Sequence, residues 1–374
     1  MSLIALAAGG TAGHINPALA LAEELVSRGH DVRFLGTERG LEARLVPEQG
    51  LPFEGLALSG FDRARPWTAI TAWRHTAQAT ARLVGEFSRP GQRPAVAVGF
   101  GAYVEVPLGR AARRLGVPLV LHEQNSVPGL ANKMLARHAD TLALTYPAAR
   151  AAFEGRLGPG TRVVETGNPV RRQILAPTRE GAREGLGLSP EETVLLVFGG
   201  SLGALHLNEA MVGLRDELLA RPGLVVLHGT GRRDYPMVRE RLALTDEQAR
   251  RWRVLEYISD MGDYLAAADL VLSRAGASSI AEIAARNVPS LLVPYPHATA
   301  NHQAVNAALL VDAGGAVMLA DSQLDDAVFP KTLSELLDSP ERRAEMRAGL
   351  EGLGSAGAAA RLADAVEEAA ARAR

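Results

Sequence analysis

The feature that most constrains how this chain can fold is a junction that occurs twice. The apolar run Leu3–Ala8 passes straight into Gly9-Gly10-Thr11-Ala12-Gly13, and 190 residues later Thr193–Phe198 passes into Gly199-Gly200-Ser201-Leu202-Gly203. Each run has the length of a strand, and each glycine cluster is followed by a segment of helical period. Around the first junction the alternation continues. Pro17–Arg28 and Leu41–Gln49 read as helices, and Asp31–Leu35, Ala95–Gly99, Val117–His122, Thr141–Thr145 and Val163–Thr166 as strands. Strands alternating with helices imply crossover connections and therefore parallel sheets. The repeat implies two Rossmann-like α/β domains. Facing one another, such domains would form a cleft at the carboxyl ends of both sheets, where ligands bind in this architecture.

A length of 374 residues is more than one core usually spans, which agrees with two domains. The turn Gly167-Asn168-Pro169 marks the boundary, giving domains of residues 1–166 and 167–354. The Ala-rich tail, residues 355–374, reads as a helix that packs back on the first domain. A formal charge of -2 provides no electrostatic footprint for a duplex, so no nucleic-acid partner is expected. Without cysteine there is no disulfide framework, thiolate metal site or cysteine nucleophile. The amino terminus lacks a basic region, and Gly9, Gly10, Gly13, His14, Asn16 and Pro17 interrupt its apolar stretch, unlike a signal peptide. No apolar run approaches the roughly 18–20 residues of a membrane span. The protein is expected to be soluble or peripheral.

Several clusters fall where loops leave predicted strands. A glycine turn between strand and helix can bring backbone N–H groups up to a phosphate at the positive end of the helix dipole, although such turns also need glycine for packing. Neither turn has the spacing of a dehydrogenase fingerprint or the lysine of a P-loop. His14 falls at the opening of the first helix, where the dipole favours a neutral imidazole able to take a proton; it could equally be a helix-start residue. His122-Glu123-Gln124-Asn125 follows the run Leu119–Leu121. Ser273–Ser279 leads into a helix bearing Glu282, a spacing that suits either a diphosphate and ribose site or a capping box. Asn301-His302-Gln303 with Asn306 offers amides suited to sugar hydroxyls. No Asp-x-Asp occurs, so neither a metal nor another cofactor is expected, and helix termini with Arg171 would neutralise a leaving phosphate. Between Phe61 and Arg93 six arginines outnumber two acidic residues and are interleaved with Trp67, Ile70 and Trp73, a pattern suited to an anionic membrane surface or to a solvated helix.

Together these residues resemble the MurG family, transferases that convert lipid I to lipid II in peptidoglycan synthesis. The resemblance rests on Gly9–His14 with Pro17, His122–Asn125, Gly167–Arg171, Gly199-Gly200-Ser201, Ser273–Glu282, and His302-Gln303 with Asn306. It implies the two-Rossmann glycosyltransferase fold called GT-B, with UDP-N-acetylglucosamine held mainly by the second domain and the lipid acceptor by the first. On the donor side it implies Thr11, Gly13, Asn125, Arg171, Ser201, Ser279, Glu282, His302 and Gln303. Glu282 would take the ribose hydroxyls, Arg171 and Ser201 the diphosphate or uracil side, and Gln303 with His302 the sugar hydroxyls. His14 becomes the candidate general base, and Tyr103, His122 and Glu123 shape the acceptor side. Trp67, Trp73 and Arg74 would meet the anionic inner leaflet, placing a peripheral protein on the cytoplasmic face of the cell membrane. Two positions depart from the family pattern: Gly101-Ala102-Tyr103-Val104-Glu105 replaces a second glycine loop, and Leu202 stands where glutamine is usual. The alternatives are a UDP-N-acetylglucosamine 2-epimerase sharing the donor site, and a scaffold without chemistry.

Overall fold

The computed structural model describes residues 1–59, 68–200, 203–298, 301–353 and 357–372. Trp67, Ser201 and Leu202 therefore lie outside the described residues. The chain divides into two compact units, Met1–Arg171 with Gly357–Arg374, and Arg172–Ala356. The first contains β1 (Leu3–Ala7), β2 (Asp31–Thr37), β3 (Phe53–Leu56), β4 (Val96–Gly99), β5 (Leu119–Glu123), β6 (Thr141–Leu144) and β7 (Arg162–Glu165), in the order β3-β2-β1-β4-β5-β6-β7. The second contains β8 (Thr193–Phe198), β9 (Leu224–Gly229), β10 (Trp252–Leu255), β11 (Leu270–Ser273), β12 (Ser290–Leu292) and β13 (Ala316–Met318), in the order β10-β9-β8-β11-β12-β13.

Every pairing between these strands is parallel. Such sheets carry helices on both faces, which is why β1 and β8 read as unbroken apolar runs rather than as alternating ones. In the first sheet Ala5, Ala7, Ala97 and Leu121 feed one core, while Ile4, Leu6, Val96 and Val98 feed the other. Strand order reverses direction between β1 and β4, and again between β8 and β11. Both glycine turns thus leave strands at topological switch points, where α/β sheets open a crevice.

The first helix, Ala12–Ser27, begins five residues before the predicted start, with Pro17 buried inside it. The second glycine turn is longer: its helix begins only at Leu205. The first unit continues to Arg171 rather than ending at residue 166. Past β7, Thr166 N and Gly167 N both donate to Leu144 O, and Arg361 Nε donates to Thr166 O, so this turn belongs to the first sheet.

The last helix, Ala358–Arg372, packs on Ala12–Ser27. Leu362, Ala363 and Val366 join the core that holds Ile4 and Leu6. Arg28 donates to Asp364 at 2.6 Å and to Glu367 at 2.9 Å, and Arg372 donates to Thr141 Oγ1. No helix among the described residues is long and apolar enough to cross a membrane. Because Leu362 is fully buried, Leu362→Ala is expected to destabilise the first unit by about 2–5 kcal/mol. Urea unfolding followed by hydrogen exchange checks this, with the loss confined to amides of residues 1–171 and 357–372.

Candidate functional site

The first glycine turn is built on a buried carboxylate. Glu42 opens the helix Glu42–Glu48 with no measurable exposure. Its Oε1 accepts from Thr37 N at 2.8 Å and Thr37 Oγ1 at 2.7 Å, and its Oε2 accepts from Gly10 N at 3.3 Å. A Cβ on Gly9 would lie 2.5 Å from Glu42 Oε1, so any larger residue must displace the carboxylate that holds the turn. Gly10 has φ +84°, matched in the second unit by Gly200 at +96°, so the repeat in sequence is also a repeat in backbone conformation. The Gly10 N–H is thus given to Glu42.

His14 lies in the first turn of the Ala12–Ser27 helix. Thr11 is the N-cap residue, yet its hydroxyl bonds no backbone N–H; it meets His14 Nδ1 at 3.1 Å. In the tautomer whose Nδ1–H donates to Thr11, Nε2 keeps its lone pair. Burial lowers the imidazole pKa from 6.5 to about 4, so His14 is neutral at neutral pH.

The exits of β4 and β5 pack against the same turn. His122 is fully buried; its Nε2 meets Gly167 O at 3.1 Å, and its Nδ1 meets Gln124 Nε2 at 2.9 Å. The carbonyl can only accept, so Nε2 carries the proton. Burial pushes the pKa to about 4, and His122 acts as a neutral joint between β5 and the Gly167 turn. Glu123 accepts from Asn125 N, Gly129 N and Asn132 Nδ2, while its burial raises its pKa. Asn132, fully buried, also donates to His122 O. It is the site residue that sequence reasoning missed, since a lone asparagine in a short helix gives no signal.

Glu105 does not face a ligand. It is 1% exposed, and its Oε2 accepts from Gly101 N at 2.6 Å. Burial lifts its pKa to about 8, with Glu123 adding to the effect, so it is a neutral acid at neutral pH. Tyr103 is exposed at 41% and lines, with Gly10, Arg39 and His75, a cavity of about 450 Å3.

In the second unit, the helix Ala277–Ala285 starts after Gly276, with no side-chain cap. Ser279 and Glu282 therefore sit inside the helix, three residues apart on one face, and their spacing is not a capping box. Gln303 Oε1 accepts from Ala275 N at 3.1 Å and Tyr295 N at 3.0 Å, clipping the exits of β11 and β12 together. Its amide oxygen is thereby occupied. Asn306 Nδ2 donates to Ala275 O, and His302 opens the helix His302–Asp312. Arg171, partly buried, ends the first unit.

On the helix Thr68–Phe87, Ile70 and Trp73 are exposed at 68% and 64%, and Arg74 is exposed beside them. The basic excess of this segment is smaller than its composition suggests, because Arg82 pairs with both Glu54 and Glu86.

Two parallel α/β units, each with a glycine turn at its switch point, have the build of the GT-B fold, and the family match gives the class, a glycosyltransferase. The chain belongs to glycosyltransferase family 28: residues 4–144 match its N-terminal domain and residues 194–366 its C-terminal domain. It is 39% identical over 360 residues to a protein of Moorella thermoacetica, with 95% of both chains covered. A protein of Desulforudis audaxviator is 39% identical over 374 residues, with 98% of both covered. Both are named UDP-N-acetylglucosamine–N-acetylmuramyl-(pentapeptide) pyrophosphoryl-undecaprenol N-acetylglucosamine transferase. Among solved structures, Acinetobacter baumannii MurG is similar with a TM-score of 0.73 and 28% identity, over 98% of this chain and 100% of that one. The calicheamicin glycosyltransferase CalG4, 18% identical with a TM-score of 0.64, shares the fold.

Glu105 yields a pH test. Its folded pKa of about 8 lies above the ordinary 4.5, so its contribution to stability is full below about pH 4.5 and is lost as pH rises through 8. Glu105→Gln keeps the acceptor for Gly101 and cannot ionise. Its advantage over the parent in thermal unfolding is expected to be absent near pH 4.5 and to grow to a few kcal/mol by pH 8.

Proposed function

We propose that this enzyme transfers N-acetylglucosamine from UDP-N-acetylglucosamine to the 4-hydroxyl of undecaprenyl-pyrophosphoryl N-acetylmuramyl-pentapeptide, forming lipid II. The observation that carries the chemistry is His14, a neutral imidazole whose Nδ1 is engaged by Thr11. Nε2 removes the proton from the muramyl hydroxyl as its oxygen attacks the anomeric carbon. The bond to UDP breaks, and the α-linked donor becomes a β-linked product. No covalent enzyme intermediate is needed. Base catalysis of this kind supplies about 10² to 10⁴-fold, the remainder coming from positioning and from stabilising the departing diphosphate.

In this reading the second unit holds the donor. Glu282 takes the ribose hydroxyls, and Gln303, its oxygen fixed by two backbone donors, presents its amide N–H groups to sugar hydroxyls. Ser279 and His302 lie beside them, and Ser201 and Arg171 serve the diphosphate or uracil side. Thr11, Gly13 and Asn125 complete the donor contacts from the first unit. Tyr103, with the backbone that His122 and Glu123 fix, shapes the acceptor side. Ile70, Trp73 and Arg74 meet the anionic cytoplasmic surface of the cell membrane, where the lipid acceptor resides.

Purified enzyme incubated with radiolabelled UDP-N-acetylglucosamine and a short-chain lipid I analogue is expected to yield labelled lipid product, and His14→Ala to lose at least 10²-fold in kcat. Nucleotide binding without transfer overturns the reading. His14 loses its neutral form only as pH falls toward about 4, so the acid limb of kcat/KM is expected well below 6.5. On vesicles with anionic headgroups, Arg74→Ala is expected to weaken binding roughly fivefold, given about 1 kcal/mol per interfacial cation, and Trp73→Ala to weaken it further; sedimentation measures both.

A further inference from the structure

Arg274 follows the last residue of β11 and is 7% exposed. Its guanidinium donates to Val293 O at 3.1 Å and Pro294 O at 3.3 Å, and its centre lies 5.8 Å from the ring centroid of Tyr295. It thereby rivets the exit of β11 to the exit of β12, the same two segments that Gln303 clips. A guanidinium this deeply buried requires an anion, and Asp321 supplies it at 2.5 Å from the short 3-10 helix Asp321–Asp325. The other oxygen of Asp321 lies 2.8 Å from His206 Nδ1. His206 sits on the helix Leu205–Gly213 that follows the second glycine turn. Its Nε2 faces Asp325 Oδ1 at 3.1 Å, so both ring nitrogens point at carboxylates. Only the imidazolium can donate to both.

We propose that Asp321 is a positioning residue for the donor site, and that protonated His206 holds it in place, coupling the helix after the second glycine turn to the Arg274 loop. The proposal rests on the reading that places the UDP-sugar at Glu282 and Gln303. Asp321 has two cationic partners, and losing either leaves the other to hold a carboxylate that burial disfavours. Its hydrogen bond to His206 and its ion pair with Arg274 outweigh that burial and keep its carboxyl below the ordinary range, while Asp321 and then Asp325 raise His206 above 6.5. The charged groups around His206 are Asp321 and Asp325 on the 3-10 helix, Asp326 just beyond it, Glu209 on its own helix and Arg241 on the helix Tyr235–Leu242. All but Asp321 line, with His206, a cavity of about 610 Å3. Acidic groups outnumber Arg241, so the surroundings as a whole favour the cation. As pH rises through the raised pKa, His206 loses its charge: the N–H that remains serves Asp321, the bond to Asp325 is lost, and Asp321 is held by a neutral donor in place of a cation, so the hold on the loop weakens.

The test is steady-state kinetics on the full-length enzyme with UDP-N-acetylglucosamine and the lipid I analogue between pH 6 and 9. For the parent, the donor KM is expected to rise with pH while the acceptor KM stays level. Asp321→Asn raises the donor KM about tenfold with kcat changed less than about threefold, the scale of one charge-assisted hydrogen bond. His206→Gln, at a partly exposed position that tolerates exchange, has a high donor KM that no longer varies with pH. His206→Lys restores a low, pH-independent one. Glu282→Ala is the companion control. A donor KM raised by Glu282→Ala but untouched by the Asp321 and His206 variants overturns the positioning role alone. A donor KM indifferent to all of them overturns the placement of the donor as well. A pH dependence that persists in His206→Gln removes His206 from the proposal.

Discussion

Parallel pairing of every strand in both sheets determines where this protein can do chemistry. Each return to the sheet must cross over through a helix, so all carboxyl ends of a sheet open along one edge. Strand order diverges at β1/β4 and at β8/β11, and the loops leaving those strands are the ones free of a crossover packed above them. The two glycine turns, the Tyr103–Glu105 segment and the Arg274–Glu282 segment all emerge there. In each unit the candidate residues are therefore carried by two short loops at the carboxyl edge of that unit's own sheet.

Within the first unit, the platform is finished by buried carboxyl groups that hold the backbone of the loops. Glu42 supports the glycine turn, Glu105 supports Gly101, and Glu123 gathers four amide donors from Asn125, Gly129 and Asn132. Burial keeps Glu105 neutral and pushes the pKa of Glu123 upward, so the acidic residues nearest the acceptor side add less negative charge than their number suggests. The departure at Glu105 from the family pattern is thus compatible with an anionic acceptor: the side chain occupies space beneath the loop and hydrogen-bonds it. His14, among such groups, is likewise held neutral by burial.

The parts legible in the sequence were those that depend on local pattern. Apolar runs of strand length located β1, β5, β6 and β8 to within about two residues, and glycine pairs located both switch points. The family resemblance carried the functional reading, and the match to family 28 in both halves supports it. What could not be read depends on partners far apart in the chain. Glu42 is 32 residues from Gly10, Asn132 is nine from Glu123, and Asp321 is 115 from His206; no periodicity encodes such pairs. Ser279 and Glu282 misled in a different way: their spacing matches a helix cap, but Gly276 lets the helix begin earlier. The basic excess near Trp73 was overcounted by one, since Glu54, distant in sequence, pairs with Arg82.

The closing helix has a consequence for biosynthesis. Leu362, Ala363 and Val366 complete the core begun by Ile4 and Leu6, and they are translated after the entire second unit. The second unit is continuous and can fold as soon as its own residues have emerged. The first must wait with an apolar face of the Ala12–Ser27 helix uncovered, so the order of folding runs opposite to the order of synthesis, and a nascent chain arrested before residue 357 is an incomplete first unit joined to a finished second one.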